Sequence, residues 1–370
     1  MKINFNEPFY NNTESSTILK ILKNRSFSGN GKFSKKVMKY LKNFLKSYTL
    51  LTDSNSSAMD IIAECIDINK NDEILIPSYE YPTTASAFQK KGARIKFVDL
   101  DPKNFMICKT DLLKKISNKT KAIVIMHYAG QSDNIEFYLK LKKKYKFFLI
   151  EDAAQTIGVK YKKKHLGTFG DFGTISFHET KNIHCGLGGA LMINNKKYID
   201  KATYIWERGT NRKDFSIKKK YSWVANGGNY YPTEFQSSFL FEQLKCVKKI
   251  TKKRKQIFER YYKFFSNKKF KSYFYTILNN KVSNYHMFYI VFYSTLLKKK
   301  FLKFMLRNKI YCQTHYEPLH TSKMGRIIDK NLKLKNVENF SNKILRFPLH
   351  FKLSKKDFEY IKQKSNLFFR

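Results

Sequence analysis

The stretch KAIVIMHYAGQSDNIEFYLKLKKKYKFFLIED, from Lys121 to Asp152, decides the class of fold. It begins with an apolar run at 121–128, continues with apolar residues at helical spacing over 134–145, and ends with a second apolar run at 146–152. Two short β-branched runs around a segment of helical periodicity are typical of a βαβ unit with parallel strands. Ligands of such sheets bind at the carboxyl ends of the strands, so the residues that follow each run are candidates for a site.

The same alternation extends outward from this stretch in both directions. Further strands are predicted at 48–52, 72–78 and 94–100, and helices at 56–68, 83–92 and 109–116. After Gly170 the pattern becomes short strands and turns, followed by one long helix over 233–265. The last part of the chain combines a strand at 286–294 with helices at 297–308 and 355–368. We therefore expect an α/β fold in two parts: a large domain at 1–249 with a mainly parallel sheet, and a smaller α+β domain at 250–370.

Composition excludes several classes of protein. The 370 residues are 42% hydrophobic, which is enough for a sizeable core, and the five cysteines form no CxxC pair. This excludes a disordered chain and a disulfide scaffold, and it indicates a reducing compartment. The N-terminus lacks the apolar region of a secretory signal, and the longest apolar run, 287–297, is far shorter than the ~20 residues that span a bilayer. We expect a cytoplasmic protein without membrane insertion.

The charge is unusual, with 72 Lys and Arg against 29 acidic residues and a net charge of +43. A charge of this sign favours nucleic acid or an anionic surface as a partner. However, only ten of the basic residues are Arg, and the lysines are spread along the chain in runs such as 142–144 and 298–300. Because no nucleic-acid-binding motif accompanies them, we interpret the excess as coding bias and expect no specific nucleic acid.

Motifs for nucleotide hydrolysis and for metal binding are missing. The segment SGNGK at 28–32 lacks the spacing of a phosphate-binding loop, and no GxGxxG occurs. His315 and His320 are five residues apart beside a proline, which favours loop or core histidines over metal ligands. No metal is expected.

Three positions carry candidate chemistry, each with a plainer alternative. Asp152 ends an apolar run, where a carboxylate can pair with a cationic ring nitrogen or cap a helix equally well. Ser56 and Ser57 belong to a polar stretch between a strand and a helix, which suits either an anion cradle or ordinary capping. Lys181 is one of many lysines, but it precedes a glycine-rich stretch and follows Ser176 by five residues.

Together these residues belong to a pattern that resembles the DegT/DnrJ/EryC1/StrS family of sugar aminotransferases, which use pyridoxal 5'-phosphate (PLP). The resemblance runs from about Phe5 to Phe369, in the order and spacing of its segments. These are LTDSNSSAMD (51–60), IPSYEYPTTASAF (76–88), FVDLDP (97–102), HYAGQ (127–131), IEDAAQTIG (150–158), GTFGDFGTISFHETKN (167–182), GGALMINN (188–195), ERGTNR (207–212), GGNYYPTEFQ (227–236), HMFYI (286–290) and HYEPLH (315–320). The resemblance implies the aspartate aminotransferase-like fold, called fold type I, of PLP-dependent transferases.

The resemblance also implies a role for each matching residue. Lys181 is implied as the Schiff-base lysine, and Asp152 as the partner of the pyridinium nitrogen. Gln155 would bond the phenolic oxygen of the ring, and Tyr81, otherwise a buried aromatic, would stack on the ring. The phosphate would be held by Ser56, Ser57 and Ser176, and by Asn229 from a neighbouring subunit, so that a homodimer shares its active sites. Two departures from the family are Ser56 in place of the usual Thr, and GGNYYPT in place of GYNYRMS.

The implied reaction transfers an amino group from L-glutamate to a nucleotide-linked 4-keto sugar. Within the family, SFHETKN, HYAG, ERGTNR and HMFYI favour dTDP-4-dehydro-6-deoxy-D-glucose as substrate, with lipopolysaccharide or enterobacterial common antigen as the destination. Amination of another sugar, as in perosamine synthesis, is an alternative. A related 3-dehydratase is disfavoured, because those enzymes usually have His where this chain has Lys181. The alternative of another class is a lysine-rich nucleic-acid or surface-binding protein on the same fold.

Overall fold

The computed structural model describes residues 1–214, 220–276 and 284–370. The helices in these ranges are α1 (Thr13–Asn24), α2 (Lys32–Leu45), α3 (Asn55–Cys65), α4 (Pro82–Gln89), α5 (Lys109–Lys115), α6 (Ile135–Tyr145), α7 (Ile199–Trp206), α8 (Glu234–Lys245), α9 (Val247–Phe265), α10 (Thr295–Arg307), α11 (Lys323–Ile328), α12 (Lys335–Lys343) and α13 (Lys355–Phe368). The strands are β1 (Tyr48–Thr52), β2 (Glu73–Pro77), β3 (Arg94–Val98), β4 (Thr120–Met126), β5 (Phe148–Asp152), β6 (Lys160–Tyr161), β7 (Lys164–His165), β8 (Phe172–Ser176), β9 (Gly189–Ile193), β10 (Phe274–Tyr275), β11 (Phe288–Phe292) and β12 (Ile344–Phe347).

A seven-stranded sheet forms the centre of the molecule, in the order β1-β9-β8-β5-β4-β2-β3. The five strands from β8 to β3 are parallel to their neighbours, whereas β9 is antiparallel to both β8 and β1. This confirms the predicted mainly parallel α/β sheet. Since the parallel strands end at the same edge, the segments that follow them converge there.

The stretch from Lys121 to Asp152 folds as its pattern predicts. It supplies most of β4, all of α6 and all of β5, and β4 pairs with β5 from Ala122↔Phe148 to Met126↔Asp152. Both strands are buried almost throughout, which explains why they read as continuous apolar runs rather than as alternating ones. Asp152 is therefore fixed at the carboxyl end of a central strand.

The C-terminal part is built on a smaller antiparallel sheet of three strands, in the order β10-β11-β12. Its core is aromatic, with Tyr261 of α9 stacked on Phe288 of β11 at a ring separation of 5.1 Å. The N-terminus also reaches this part of the fold, because Ile3 forms a parallel bridge with Ile310. The division between residues 249 and 250 falls inside α9 and stays a prediction.

Two differences from the predicted elements concern the helices on either side of the large sheet's sequence. The single long helix expected over 233–265 is wrong, since α8 and α9 are separated at Cys246, where φ is −93° and ψ is 0°. Apolar periodicity runs through this point because both helices bury one face. The other omission is the pair α1 and α2 before the first strand, although α2 buries Phe33, Val37, Leu41 and Leu45 at helical spacing.

Among the described helices, none combines the length and the apolar character of a membrane span.

Candidate active site

A cavity of about 760 Å³ lies at the edge of the sheet where the parallel strands end. The segments after β1, β2, β5 and β8 line it, together with part of the C-terminal domain and the first residues of the chain. Six of the eight predicted site residues border this cavity: Ser56, Tyr81, Asp152, Gln155, Ser176 and Lys181. Residues far apart in the sequence are thus brought together as the parallel topology predicts.

Asp152 is the last residue of β5 and is 2% exposed. Its carboxylate accepts hydrogen bonds from the backbone N–H of Ala154 at 2.8 Å and from the side-chain amide of Asn55 at 3.4 Å. Burial raises the pKa of Asp152, while the Ala154 N–H and the charge of Lys181 act in the opposite direction. No described helix begins directly after Asp152, so the helix-capping alternative is wrong: the carboxylate accepts a turn bond from Ala154 and borders the cavity. Its pairing with a ring nitrogen stays a prediction.

Lys181 follows β8 in a turn closed by a hydrogen bond from its own N–H to the carbonyl of His178, at 2.8 Å. Burial lowers the pKa of its amine to about 8; the carboxylate of Asp152 opposes this shift, and the charge of Arg346 adds to it. At neutral pH about one tenth of such an amine is uncharged and able to attack a carbonyl, against a negligible fraction for an ordinary lysine. A lowered amine pKa of this kind suits a lysine that acts as a nucleophile.

Gln155 and Tyr81 line the same cavity as Asp152 and Lys181. The side-chain oxygen of Gln155 accepts the N–H of Ala129 at 2.7 Å, which fixes the amide with its nitrogen 3.5 Å from the hydroxyl of Tyr316. The ring of Tyr81 is 54% exposed at the start of α4. This exposure shows that the plainer reading of Tyr81 as a buried core residue is wrong. An aromatic ring left open beside a cavity can cover a flat ligand.

Of the three serines that were predicted to hold the phosphate, two line the cavity and one makes only local hydrogen bonds among the described residues. Ser56 lines the cavity and donates to the hydroxyl of Thr83 at 2.7 Å, and Ser176 accepts the N–H of His178 at 3.3 Å. Ser57 is instead used locally, because its hydroxyl donates to Asp53 and its N–H is capped by Ser54 at 3.1 Å. The described cavity lining does not include Ser57, and its phosphate role stays a prediction.

Asn229 also lies outside the described cavity lining. It is exposed, and its backbone forms an antiparallel bridge with Glu207. Its predicted role requires a second copy of the chain and stays a prediction.

Some cavity residues were not singled out from the sequence. Thr83, Tyr316 and Arg346 border the cavity, as does His315, which was expected to be a loop or core histidine. Glu80 also lines the cavity, and it follows the run at 72–78, where candidate residues were expected. The guanidinium of Arg346 lies 4.7 Å from the ring of Phe5 and comes from β12 of the smaller sheet. No local motif marks such a residue, because its position depends on how the two sheets pack.

The histidines of the cavity are in surroundings that favour their uncharged form. Burial lowers the pKa of His286 and His315 well below the usual value. His315 exchanges a hydrogen bond of 2.7 Å with the hydroxyl of Tyr128, and the buried His320 lies outside the cavity, bonded to Ser78 and Glu338. Across the described ranges no group of three His, Cys, Asp or Glu side chains is arranged to hold an ion.

The donor set of the cavity fits PLP. An amine of lowered pKa and a carboxylate at a strand end suit the aldehyde and the ring nitrogen, and the serines beside the N-terminus of α3 suit the phosphate. Two buried oxygens of the lining, Asn55 Oδ1 and Glu80 Oε2, have no hydrogen-bond partner within the described protein. Buried polar atoms of this kind need a partner, and a polar ligand in the cavity would supply it.

The sheet order and the lysine–aspartate pair at its carboxyl edge define a fold-type-I, PLP-dependent transferase. The chain belongs to the DegT/DnrJ/EryC1/StrS aminotransferase family, whose profile matches residues 9–365. It is accordingly a PLP-dependent sugar aminotransferase.

Individual relatives agree with this assignment. The chain is 27% identical over 371 residues to UDP-4-amino-4,6-dideoxy-N-acetyl-beta-L-altrosamine transaminase of Campylobacter jejuni, covering 95% of this chain and 93% of the relative. It is 30% identical over 216 residues to GDP-perosamine synthase of Escherichia coli O157:H7, which is 58% of each chain. Among solved structures, PseC of Helicobacter pylori, an aminotransferase involved in the biosynthesis of pseudoaminic acid, matches with a TM-score of 0.93 at 24% identity, covering 100% of this chain and 99% of that one. This last likeness concerns the fold.

Proposed function

We propose that this protein transfers the amino group of L-glutamate to the 4-keto group of a nucleotide-linked 4-keto-6-deoxy sugar. The observation that carries the proposal is Lys181, an amine with a pKa of about 8 in a cavity that also contains Asp152. The printed names of the relatives, a GDP-perosamine synthase and a UDP-altrosamine-type transaminase, support a nucleotide-linked amino sugar as the product class.

Each residue has a defined task in this proposal. When bound, PLP supplies an electron sink and a carrier for the amino group. Lys181 binds the cofactor and then moves a proton between substrate and cofactor carbons, while Asp152 keeps the ring nitrogen protonated. The amide nitrogen of Gln155 donates to the phenolic oxygen of the ring and orients it, Tyr81 covers one face, and Ser56, Ser57 and Ser176 hold the phosphate.

The two substrates use this site in turn. Glutamate gives up its amino group and leaves as 2-oxoglutarate, and the keto sugar then receives the amino group. The cavity has cationic groups for anionic substrates, because Arg346 lines it beside Lys181. A carboxylate of glutamate and the diphosphate of the sugar are both suited to a guanidinium.

We propose dTDP-4-dehydro-6-deoxy-D-glucose as the sugar, and cell-surface polysaccharide such as lipopolysaccharide or enterobacterial common antigen as the destination. A GDP-linked sugar is the second candidate, favoured by the 30% identity to GDP-perosamine synthase. The test is a panel of dTDP-, GDP- and UDP-linked 4-keto-6-deoxy sugars assayed with glutamate and PLP. A kcat/KM at least tenfold higher for the dTDP sugar supports the first choice, and the reverse order for the GDP sugar overturns it.

The proposed assembly is a homodimer in the cytoplasm, in which Asn229 of each chain reaches the phosphate of the other site. Five unpaired cysteines, Cys65, Cys108, Cys185, Cys246 and Cys312, support a reducing compartment. The exposed position of Asn229 supports its use by a second chain.

A further inference from the structure

Glu80 is a second buried carboxyl group in the candidate active site. It follows β2, is 1% exposed, and borders the same cavity as Asp152 and Lys181. Its Oε1 accepts the backbone N–H of Tyr81 at 2.8 Å. Its Oε2 is buried and has no hydrogen-bond partner among the described residues. One half of the carboxyl group is thus held by the protein, and the other half lies at the cavity without a partner.

The surroundings of the two carboxyl groups are unequal. Asp152 receives the N–H of Ala154 and the amide of Asn55, whereas Glu80 receives a single N–H. Two like charges in one buried site disfavour each other, so a proton remains on the group with the weaker support. By this comparison the proton belongs to Glu80 and the negative charge to Asp152.

The electrostatics of every neighbouring element agree with this assignment. Burial and then the charge of Asp152 raise the pKa of Glu80 well above its usual value, against the Tyr81 N–H and the charge of Lys181. The phenol of Tyr316 also faces this group, and its own pKa is raised by burial and then by Glu80. The positive charge of Lys181 lowers the pKa of both carboxyl groups, so its stabilising effect is shared between them.

We propose that Glu80 is a neutral acid of the active site, whose Oε2–H donates a hydrogen bond to an oxygen of the bound ligand. This inference rests on the proposed function, because it requires that PLP and a sugar occupy this cavity. A protonated carboxyl group is a donor, unlike an ionised one, so it can face an anionic or carbonyl oxygen without repulsion. The acceptor is an oxygen of PLP or of the nucleotide-linked sugar.

The first test measures the proton directly, in the protein without cofactor. A protonated carboxyl group has a carbonyl stretch in the infrared that an ionised carboxylate lacks. We expect this band at pH 7 in the wild-type protein and its loss in Glu80→Gln. The control Glu317→Gln, which changes an exposed carboxylate in the same loop as Tyr316, should keep the band. A band that survives in Glu80→Gln, or that is absent from the wild type, overturns the proposal.

The second test measures the hydrogen bond. Glu80→Gln keeps a donor at this place and should retain the dissociation constant for PLP and the KM for the sugar within about twofold. Glu80→Leu lacks a donor, so either the dissociation constant for PLP or the KM for the sugar should rise by about tenfold. A change of this size corresponds to the loss of one hydrogen bond. A change in PLP affinity identifies the cofactor as acceptor, and a change in the sugar KM alone identifies the sugar. Unchanged values for both in Glu80→Leu overturn the proposal.

These outcomes are distinct from failure of the proposed function. If the wild-type protein aminates no sugar of the panel, the infrared band and the PLP affinity still report on Glu80. If the sugar reaction occurs but the band does not depend on Glu80, the proposed function stands and the role of Glu80 is wrong.

Discussion

The side-chain amide of Asn55 donates a hydrogen bond to the carboxylate of Asp152 across 3.4 Å. This contact joins the first residue of α3 to the last residue of β5, which are 97 positions apart in the sequence. It couples the helix N-terminus that suits a phosphate to the carboxylate that suits a ring nitrogen. The distance between the two ends of the proposed cofactor site is therefore set by secondary structure rather than by a loop.

Lys181 should be the lysine that binds PLP. Burial lowers its pKa to about 8, so an uncharged amine is available near neutral pH. Incubation with PLP should produce an absorbance in the visible, and borohydride should then fix the cofactor on the peptide that contains Lys181. Lys181→Ala should show neither result. Labelling of a different lysine would contradict the assignment.

The yield of this labelling should depend on pH in a defined direction. The amine attacks in its uncharged form, so labelling by a short exposure to PLP should rise with pH, with a midpoint near 8. Asp152→Asn removes a negative charge that raises the pKa of Lys181, so the midpoint should move to lower pH. The same substitution should lower kcat by about 100-fold or more, because the ring nitrogen loses its charged partner. A midpoint that moves upward would show that Asp152 does not act on this amine.

Glu234 should be important for stability and not for chemistry. It is fully buried in α8, and its carboxylate accepts the N–H groups of Phe33 and Ser34 at the start of α2, at 2.6 Å and 2.9 Å. Glu234→Ala leaves these donors buried without a partner, which should lower the free energy of unfolding by about 3 kcal/mol. The control Glu259→Ala removes an exposed ion pair with Lys255 at 3.6 Å and should cost less than about 1 kcal/mol. Chemical denaturation measures both, and equal effects would contradict the capping role.

Elements with a local sequence pattern could be predicted, whereas positions that depend on tertiary packing could not. The strands β1 to β5 could be predicted because each is a short apolar run between turn residues. Asp152 ends β5 and Lys181 follows β8, and these two strands are parallel neighbours, so both residues lie at one edge of the sheet. Arg346 could not be predicted, since it reaches the cavity from the smaller sheet through tertiary packing. The break at Cys246 was missed because apolar periodicity does not report a single turn with ψ near 0°. Ser57 shows the opposite limit: its motif matches the family, but in the single chain its hydroxyl donates to Asp53 and its backbone N–H donates to the capping hydroxyl of Ser54.

Asn229 provides a test of the shared site. Asn229→Ala should weaken retention of PLP by about tenfold without a change in the unfolding transition, because the side chain is exposed in the single chain. Mixed dimers of Lys181→Ala and Asn229→Ala chains should regain activity, since one of their two sites contains neither substitution. The measurement is the activity of refolded mixtures against each variant alone. No recovery in a mixture shown to contain heterodimers would rule out a contribution of Asn229 to the partner's site.

The last prediction concerns the net charge of +43, which we attribute mainly to coding bias, with a local effect on substrate capture. A positive rim attracts the diphosphate of a nucleotide-linked sugar, but exposed charges more than about 8 Å away are screened at physiological salt. Added salt should therefore raise the KM for the sugar modestly, while the half-reaction with glutamate changes little.

A nucleic-acid-binding protein of the same charge would behave differently. Its affinity for duplex DNA would fall with a log–log slope of about −0.9 per phosphate contacted, and part of that affinity would persist at physiological salt. Titration of duplex DNA at several salt concentrations, beside the aminotransferase assay, separates the two cases. Weak binding that disappears with salt is expected of any protein this basic, because it requires only unspecific attraction to phosphates. Tight, saturable and sequence-selective binding at physiological salt would instead assign a function to the lysines.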